Sequence, residues 1–184
     1  MIWIRAGSGA AGGQARSASG GRSVRDVLGG PASVDARSVR LHLKVERIDS
    51  LDVRPLFPET GFSMAEVNRH VKRSGHLCAM LEKNGVIVVA SFVSPYAESR
   101  QFARSVAKNF VEVYMKTTVE ACEQRDSKGH YARARSGEYK DFPGVDAPYD
   151  VPDNPEITIE IDLTTMDDAV DQIMNYLRKN ILNN

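Results

Sequence analysis

The chain is poor in the residues that build disulfide frames and metal centres: 184 residues hold two cysteines, four histidines and one tryptophan. Cys78 and Cys122 stand alone, each inside a predicted helix, and suit packing thiols in a reducing compartment. His42, His70, His76 and His130 lack zinc-ligand spacing. Neither sign of charge dominates, since 24 Lys and Arg balance 24 Asp and Glu, so no global field favours nucleic acid or an anionic membrane. No apolar run approaches a membrane span, and the four apolar-rich residues at the start are too few for a signal-peptide core. A cytoplasmic protein is the expectation. The dipeptide Gly-Lys occurs nowhere. That absence removes the pattern G-x-x-x-x-G-K-[ST], whose glycines let backbone N–H groups approach phosphates and whose Lys neutralises them.

What is present describes a globular chain. Apolar residues make up 42% and charged residues 26%, enough for one domain with a real core over residues 1–184. Residues 10–44 are atypical. From Ala10 to Arg40 the chain is dominated by Ala, Gly, Ser and Arg, with no Lys, no aromatic and no sustained period, so an irregular segment is predicted. Gly7-x-Gly9-x-x-Gly12 follows a predicted strand and matches a dinucleotide fingerprint, but Gly12-Gly13 and Gly20-Gly21 disfavour the helix that the fingerprint needs.

Beyond residue 44 the pattern is strand then helix, repeated. Val45 to Ile48 reads as a strand. Ser63 with Glu66 forms a capping box for a helix whose apolar face is Met64, Val67, Val71, Cys78 and Leu81, ending at Gly85. Residues 86–90 are apolar on both faces and predict a central strand of a parallel sheet. A helix over 98–108 and a strand over 110–115 follow. Thr117 with Glu120 predicts the next capping box, for a helix ending at Arg125. Residues 157–161 alternate as a strand, and Thr165 with Asp168 caps a last helix facing the core through Val170, Ile173, Met174, Leu177 and Ile181. The fold class is α/β with a mostly parallel sheet covered on both faces.

The densest chemistry lies in residues 122–149. Arg125, Lys128, Arg133, Arg135 and Lys140 alternate with Tyr131, Tyr139, Phe142 and Tyr149, and Gly129, Gly137, Pro143, Gly144 and Pro148 break the stretch into turns. Such a segment offers cations to an anion and aromatic faces to a base. Composition alone favours a solvated surface loop with a few anchoring aromatics. Ser94-Pro95-Tyr96 sits at the carboxyl end of the predicted central strand, where open α/β sheets bind ligands. Ile48-Asp49-Ser50-Leu51-Asp52-Val53-Arg54 places carboxylates at a strand end, which suits Mg²⁺ or a substrate hydroxyl, or a turn held by aspartate side chains.

The order of residues from Cys122 to Glu156 resembles the adenylylsulfate kinases, which carry C-E-x-R-D-x-K-G-x-Y-x-x-A-R-x-G-E-x-K-x-F-x-G-[IV]-D-x-x-Y-x-x-P-x-x-P-E. Gly61-Phe62-Ser63 and Phe92-Val93-Ser94-Pro95-Tyr96 match a second block, and the resemblance runs from about Ile48 to Ile181. It implies a P-loop kinase-like three-layer fold. It also implies ATP-dependent phosphorylation of the 3′-hydroxyl of adenosine 5′-phosphosulfate, giving PAPS in sulfate assimilation. The alternative is a relative that binds adenylylsulfate without efficient turnover. ATP and Mg²⁺ are the implied cofactors, and a homodimer is a candidate assembly. By the same resemblance Lys128 meets the substrate's sulfate or phosphate, and Phe62 and Phe142 stack on its adenine. Arg54 and Val93 contact the substrate, and Arg125 stacks on the adenine of ATP. Asp52 orients the 3′-hydroxyl and holds Mg²⁺. Ser94 matches a serine sometimes assigned a phosphorylated intermediate. The family's D-R-x-x-N reads here Glu66-Val67-Asn68-Arg69-His70, without its Arg and Asn. Ser94, Lys128 and Phe142 are expected to converge on one cleft.

Overall fold

A computed structural model of the chain describes residues 1–6, 44–127 and 129–182. Among the described residues, five parallel strands form one sheet: β1 (Ile2–Ala6), β2 (Lys44–Asp49), β3 (Val86–Phe92), β4 (Val111–Lys116) and β5 (Ile157–Glu160), in the order β2-β3-β1-β4-β5. Pairs such as Trp3 with Ala90 and Trp3 with Glu112 fix the register of β1 between its two neighbours. The run Val86–Phe92 is interior, as its two-sided apolarity requires, but β1 holds the middle of the sheet. The reason is the crossover from β3 to β4, which passes β1.

The helices of the described residues, numbered here in chain order, cover both faces. The first, α1 (Ser50–Val53), is one turn capped by the Asp49 carboxylate, which accepts from Leu51 N at 2.9 Å. Next come α2 (Met64–Lys83), α3 (Ala97–Val106), α4 (Val119–Gln124), α5 (His130–Arg135) and α6 (Met166–Leu177). Trp3, Val88, Ala90 and Phe92 point to one face and pack with Val71, Cys78 and Ala103 of α2 and α3. Ile2, Val89, Val113 and Ile159 point to the other and pack with Ala169, Ile173 and Leu177 of α6. Alternate strand residues thus feed two separate cores, the signature of a sheet buried on both sides. A third cluster, Tyr131, Ala134 and Phe142, lies under the turns after α5.

Three local expectations shift. The capping box of Ser63 and Glu66 forms, but the buried face of α2 is His70, Val71, Ser74, Gly75 and Cys78, while Met64 is 48% exposed. Close packing against α3 selects small residues there, so the face is carried by size and not by hydrophobicity. The cap of α4 is Thr118, whose hydroxyl accepts from Ala121 N; Thr117 instead donates to Asp162 across the end of β5. The helix ends at Gln124, with Arg125 as its cap. In α6, Thr165 caps as expected. No helix among the described residues is long and apolar enough to cross a membrane.

A Cβ placed on Gly75 would lie 3.2 Å from the Cβ of Ala103 and 3.3 Å from its Cα. The α2–α3 contact depends on that missing atom. Gly75→Val is expected to overpack it and lower the unfolding free energy by about 1–3 kcal/mol, read from urea denaturation; an unchanged midpoint would show that the two helices can part at no cost.

Candidate functional site

All five strands run in one direction, so their carboxyl ends open on one edge of the sheet. Four stretches of the described chain emerge there: 50–63 after β2, 93–96 after β3, 117–125 after β4 and 161–163 after β5. Asp52 lies in α1, its side chain 58% exposed and its Oδ2 3.3 Å from Arg47 Nη2. Arg47 also lies 3.6 Å from the capping carboxylate of Asp49, so one guanidinium holds both carboxylates at the mouth of β2. Arg54 starts the 3₁₀ turn after α1 and donates from Nη1 to Thr60 O at 3.0 Å. Its guanidinium carbon sits 4.1 Å from the centroid of Phe62, a ring left 67% exposed. The Arg54–Phe62 pair is a flat cation–aromatic surface facing outward.

His70 of α2, on the same side of the sheet as α1, is 2% exposed. Its Nε2 is 3.1 Å from Ser50 Oγ, its ring is 5.8 Å from Phe92, and its Nδ1 has no hydrogen-bond partner among the described residues. Burial, reinforced by the Arg54 charge, pushes its pKa down from 6.5 to about 4. The imidazole is therefore neutral at ordinary pH.

The turn after β3 is held differently. Ser94 is 1% exposed and adopts φ +41°, the left-handed region. Its Oγ accepts from Trp3 Nε1 at 3.0 Å and its carbonyl accepts from Arg100 Nη1 at 3.0 Å. Val93 beside it is half-buried. Asp150 docks on this turn: its N–H donates to Pro95 O at 2.8 Å, and its carboxylate accepts from Ala97 N at 2.8 Å. Burial and then the charges of Asp141, Asp150 and Asp146 raise the pKa of Tyr96. The segment that carries Phe142 therefore lies against the Ser94 turn. Phe142 itself is 5% exposed, stacked on Tyr139 at 6.2 Å and edge-on to Tyr131 at 5.2 Å. The Asp146 carboxylate accepts from the N–H groups of Asp141 and Phe142 and folds this turn.

Arg125 stands at the far side of the edge, 2.7 Å from Asp162 Oδ1. Lys128 and residues 10–40 lie outside the described residues. Arg54 and Phe62 thus meet directly, Ser94 is joined to the Phe142 segment through Asp150, and Asp52 and Arg125 each face a partner of their own. No cluster of three or more His, Cys, Asp or Glu able to hold a metal occurs among the described residues. The Asp49–Asp52 pair offers carboxylates of the kind that Mg²⁺ takes when most of its ligands are water and phosphate. Sequence reasoning missed His70, Trp3, Arg100 and Asp150 as parts of the site. His70 and Arg100 each carried a signal, as an ionisable residue on a helix leading away from the site.

The family model described as adenylylsulphate kinase matches residues 31–160, starting upstream of Ile48. An adenylyl-sulfate kinase of Staphylococcus epidermidis is 41% identical over 136 residues, 72% of this chain and 68% of that protein. One of Halothermothrix orenii is 36% identical over 150 residues, 78% of this chain and 81% of that protein. Among solved structures, the APS kinase of Mycobacterium tuberculosis in complex with AMPPNP and APS superposes with TM-score 0.75 at 28% identity, covering 96% of each chain. The α/β fold with its parallel sheet is that of these P-loop kinases.

The buried imidazole gives a pH signature. The unfolded chain protonates His70 near 6.5, whereas the folded chain resists until about 4. Between those values the unfolded state binds more protons, so stability falls as pH falls, by up to about 1.4 kcal/mol per pH unit. His70→Gln is expected to flatten that part of the stability profile relative to wild type in parallel urea titrations. Identical slopes for the two chains would contradict a buried neutral imidazole.

Proposed function

The chain belongs to the adenylylsulfate kinase family, and we propose that it transfers the γ-phosphoryl group of ATP to the 3′-hydroxyl of adenosine 5′-phosphosulfate. The observation that carries this is the Arg54–Phe62 surface standing at the same sheet edge as the Ser94 turn and its docked Phe142 segment. That edge offers rings for an adenine and a guanidinium for the anionic group attached to it. In the reaction the 3′-oxygen bonds to the γ-phosphorus, the bridge to the β-phosphate breaks, and the hydroxyl proton leaves to a carboxylate. We assign that carboxylate to Asp52, which would also hold the Mg²⁺ that screens the phosphate charge. Phosphoryl transfer asks the protein chiefly for alignment and charge stabilisation, and no covalent protein intermediate is required. Ser94, with its hydroxyl taken by Trp3, contributes the turn on which the substrate side is built. Lys128 supplies a further cation to the sulfate or phosphate, Val93 lines the substrate side, and Arg125 stacks on the nucleotide's adenine. ATP, Mg²⁺ and a reducing, cytoplasmic setting complete the reading, and the two unpaired cysteines suit that setting.

A second reading rests on the sequence itself. Gly-Lys is absent, and losing one donor to a transition-state phosphate commonly costs on the order of 10² to 10³ in rate. A chain that binds adenylylsulfate and turns it over poorly is the expected consequence if no other cation replaces that lysine.

Chromatographic assay of ATP and adenylylsulfate incubated with the purified chain decides between them. ATP-dependent appearance of the 3′-phosphorylated product supports the kinase. Phe62→Ala, which removes the exposed ring at this edge, is then expected to raise KM for adenylylsulfate by roughly tenfold or more, the worth of one base–aromatic stack. Binding without product would leave the second reading.

A further inference from the structure

Arg100 of α3 is 4% exposed and divides its donors among three parts of the chain. Its Nη1 donates to the Ser94 carbonyl at 3.0 Å and its Nη2 to the Asp150 carbonyl at 2.9 Å. Its Nε lies 3.1 Å from Glu112 Oε1 on β4 as an ion pair, without an aligned hydrogen bond to that oxygen. The two carbonyls belong to the segments that also bind each other through Asp150 N and Pro95 O and through Ala97 N and the Asp150 carboxylate. Burying a cation here is costly unless every donor is used. Without it the buried Glu112 carboxylate would lose its nearest cation and two carbonyls would lose a donor, so the arginine answers charge and geometry together. A planar guanidinium reaches two carbonyls and a carboxylate together, whereas an ammonium offers a single point.

The turn it holds needs holding. A non-glycine residue at φ +41° is strained and persists only where its surroundings over-determine it. For Ser94 those surroundings are Trp3 on the side chain and Arg100 on the carbonyl. We propose that Arg100 is a positioning residue that couples the Ser94 turn to the Asp150 connector and so fixes where the Phe142 turn meets the substrate. The substrate half of this claim rests on the kinase reading above; the coupling half does not. Arg100 touches no reacting atom. It acts by making two chain segments, far apart in sequence, move as one.

A merely structural arginine would serve to neutralise Glu112, and Arg100→Lys separates the two roles because it keeps the charge and loses the fork. The chain's only tryptophan gives a single indole N–H signal, and that N–H is the one bound to Ser94. In Arg100→Lys the indole signal is expected to shift. Hydrogen exchange at the Ala97 and Asp150 amides should quicken by roughly tenfold or more, while β1 and β4 amides stay unchanged. Titration with adenylylsulfate, followed by the same indole signal, should show Kd raised roughly tenfold, the loss of one charged hydrogen bond. If that variant fails to fold, Arg100→Gln with Glu112→Gln removes the buried charges as a pair and is read the same way. Unchanged exchange at Ala97 and Asp150, uniform loosening of the whole sheet, or local loosening with an unchanged Kd would each overturn the proposal. A wild-type chain that binds no adenylylsulfate would instead remove the kinase reading, and the exchange comparison alone would then decide the coupling.

Discussion

The site hangs on the indole of Trp3. It lies on the middle strand, 0% exposed, and stacks on Phe92 at 4.8 Å with the planes 16° apart. Phe110 flanks it at 6.2 Å. A buried indole must place its N–H on an acceptor, and the acceptor available is Ser94 Oγ. One side chain therefore fills the core beneath the sheet and ties down the turn at its mouth. Packing and site geometry cannot be changed independently here. A smaller residue at position 3 would open a cavity and release the turn together.

Above that anchor, the order of the sheet does the sorting. With β1 in the middle, the end of β2 brings Arg54 and Phe62 to one side and the end of β4 brings Arg125 to the other. Charged groups at the edge are held in pairs: Arg47 with Asp49 and Asp52, and Arg125 with Asp162. Exposed pairs of this sort contribute little to stability. Their effect is to keep long side chains in place until a ligand with its own charges competes for them.

Much of this was legible in the residues. The two-sided apolarity of 86–90 marked an interior parallel strand, Ser63 and Glu66 marked the start of α2, and Thr165 marked the start of α6. Strand order was not legible, because periodicity reports what a strand buries and not which neighbour it pairs with. The buried face of α2 was read in part, since Val71 and Cys78 lie in the core, and the small residues on it were missed for a related reason. Ser74 and Gly75 face the core because α3 comes close, and Ser74 satisfies its hydroxyl on the His70 carbonyl. Thr117 and Thr118 are equivalent as caps in sequence, and only the end of β5, with Asp162 beside it, separates them. The roles of Trp3, Arg100 and Asp150 come from contacts between distant segments, which no local pattern records. Lys128 and residues 10–40, on which the expected phosphate contacts bear most directly, lie outside the described residues.

In the proposed kinase reading the site has a substrate side at Arg54, Phe62, the Ser94 turn and the Phe142 segment, and a nucleotide side whose Gly-Lys-[ST] the sequence does not contain. That division has thermodynamic consequences before any chemistry occurs. Calorimetric titration of the purified chain, with adenosine 5′-phosphosulfate and with Mg-ATP in separate experiments, measures it directly. The account predicts measurable binding of the sulfonucleotide and only weak binding of Mg-ATP. Tight binding of Mg-ATP with no affinity for the sulfonucleotide would contradict it.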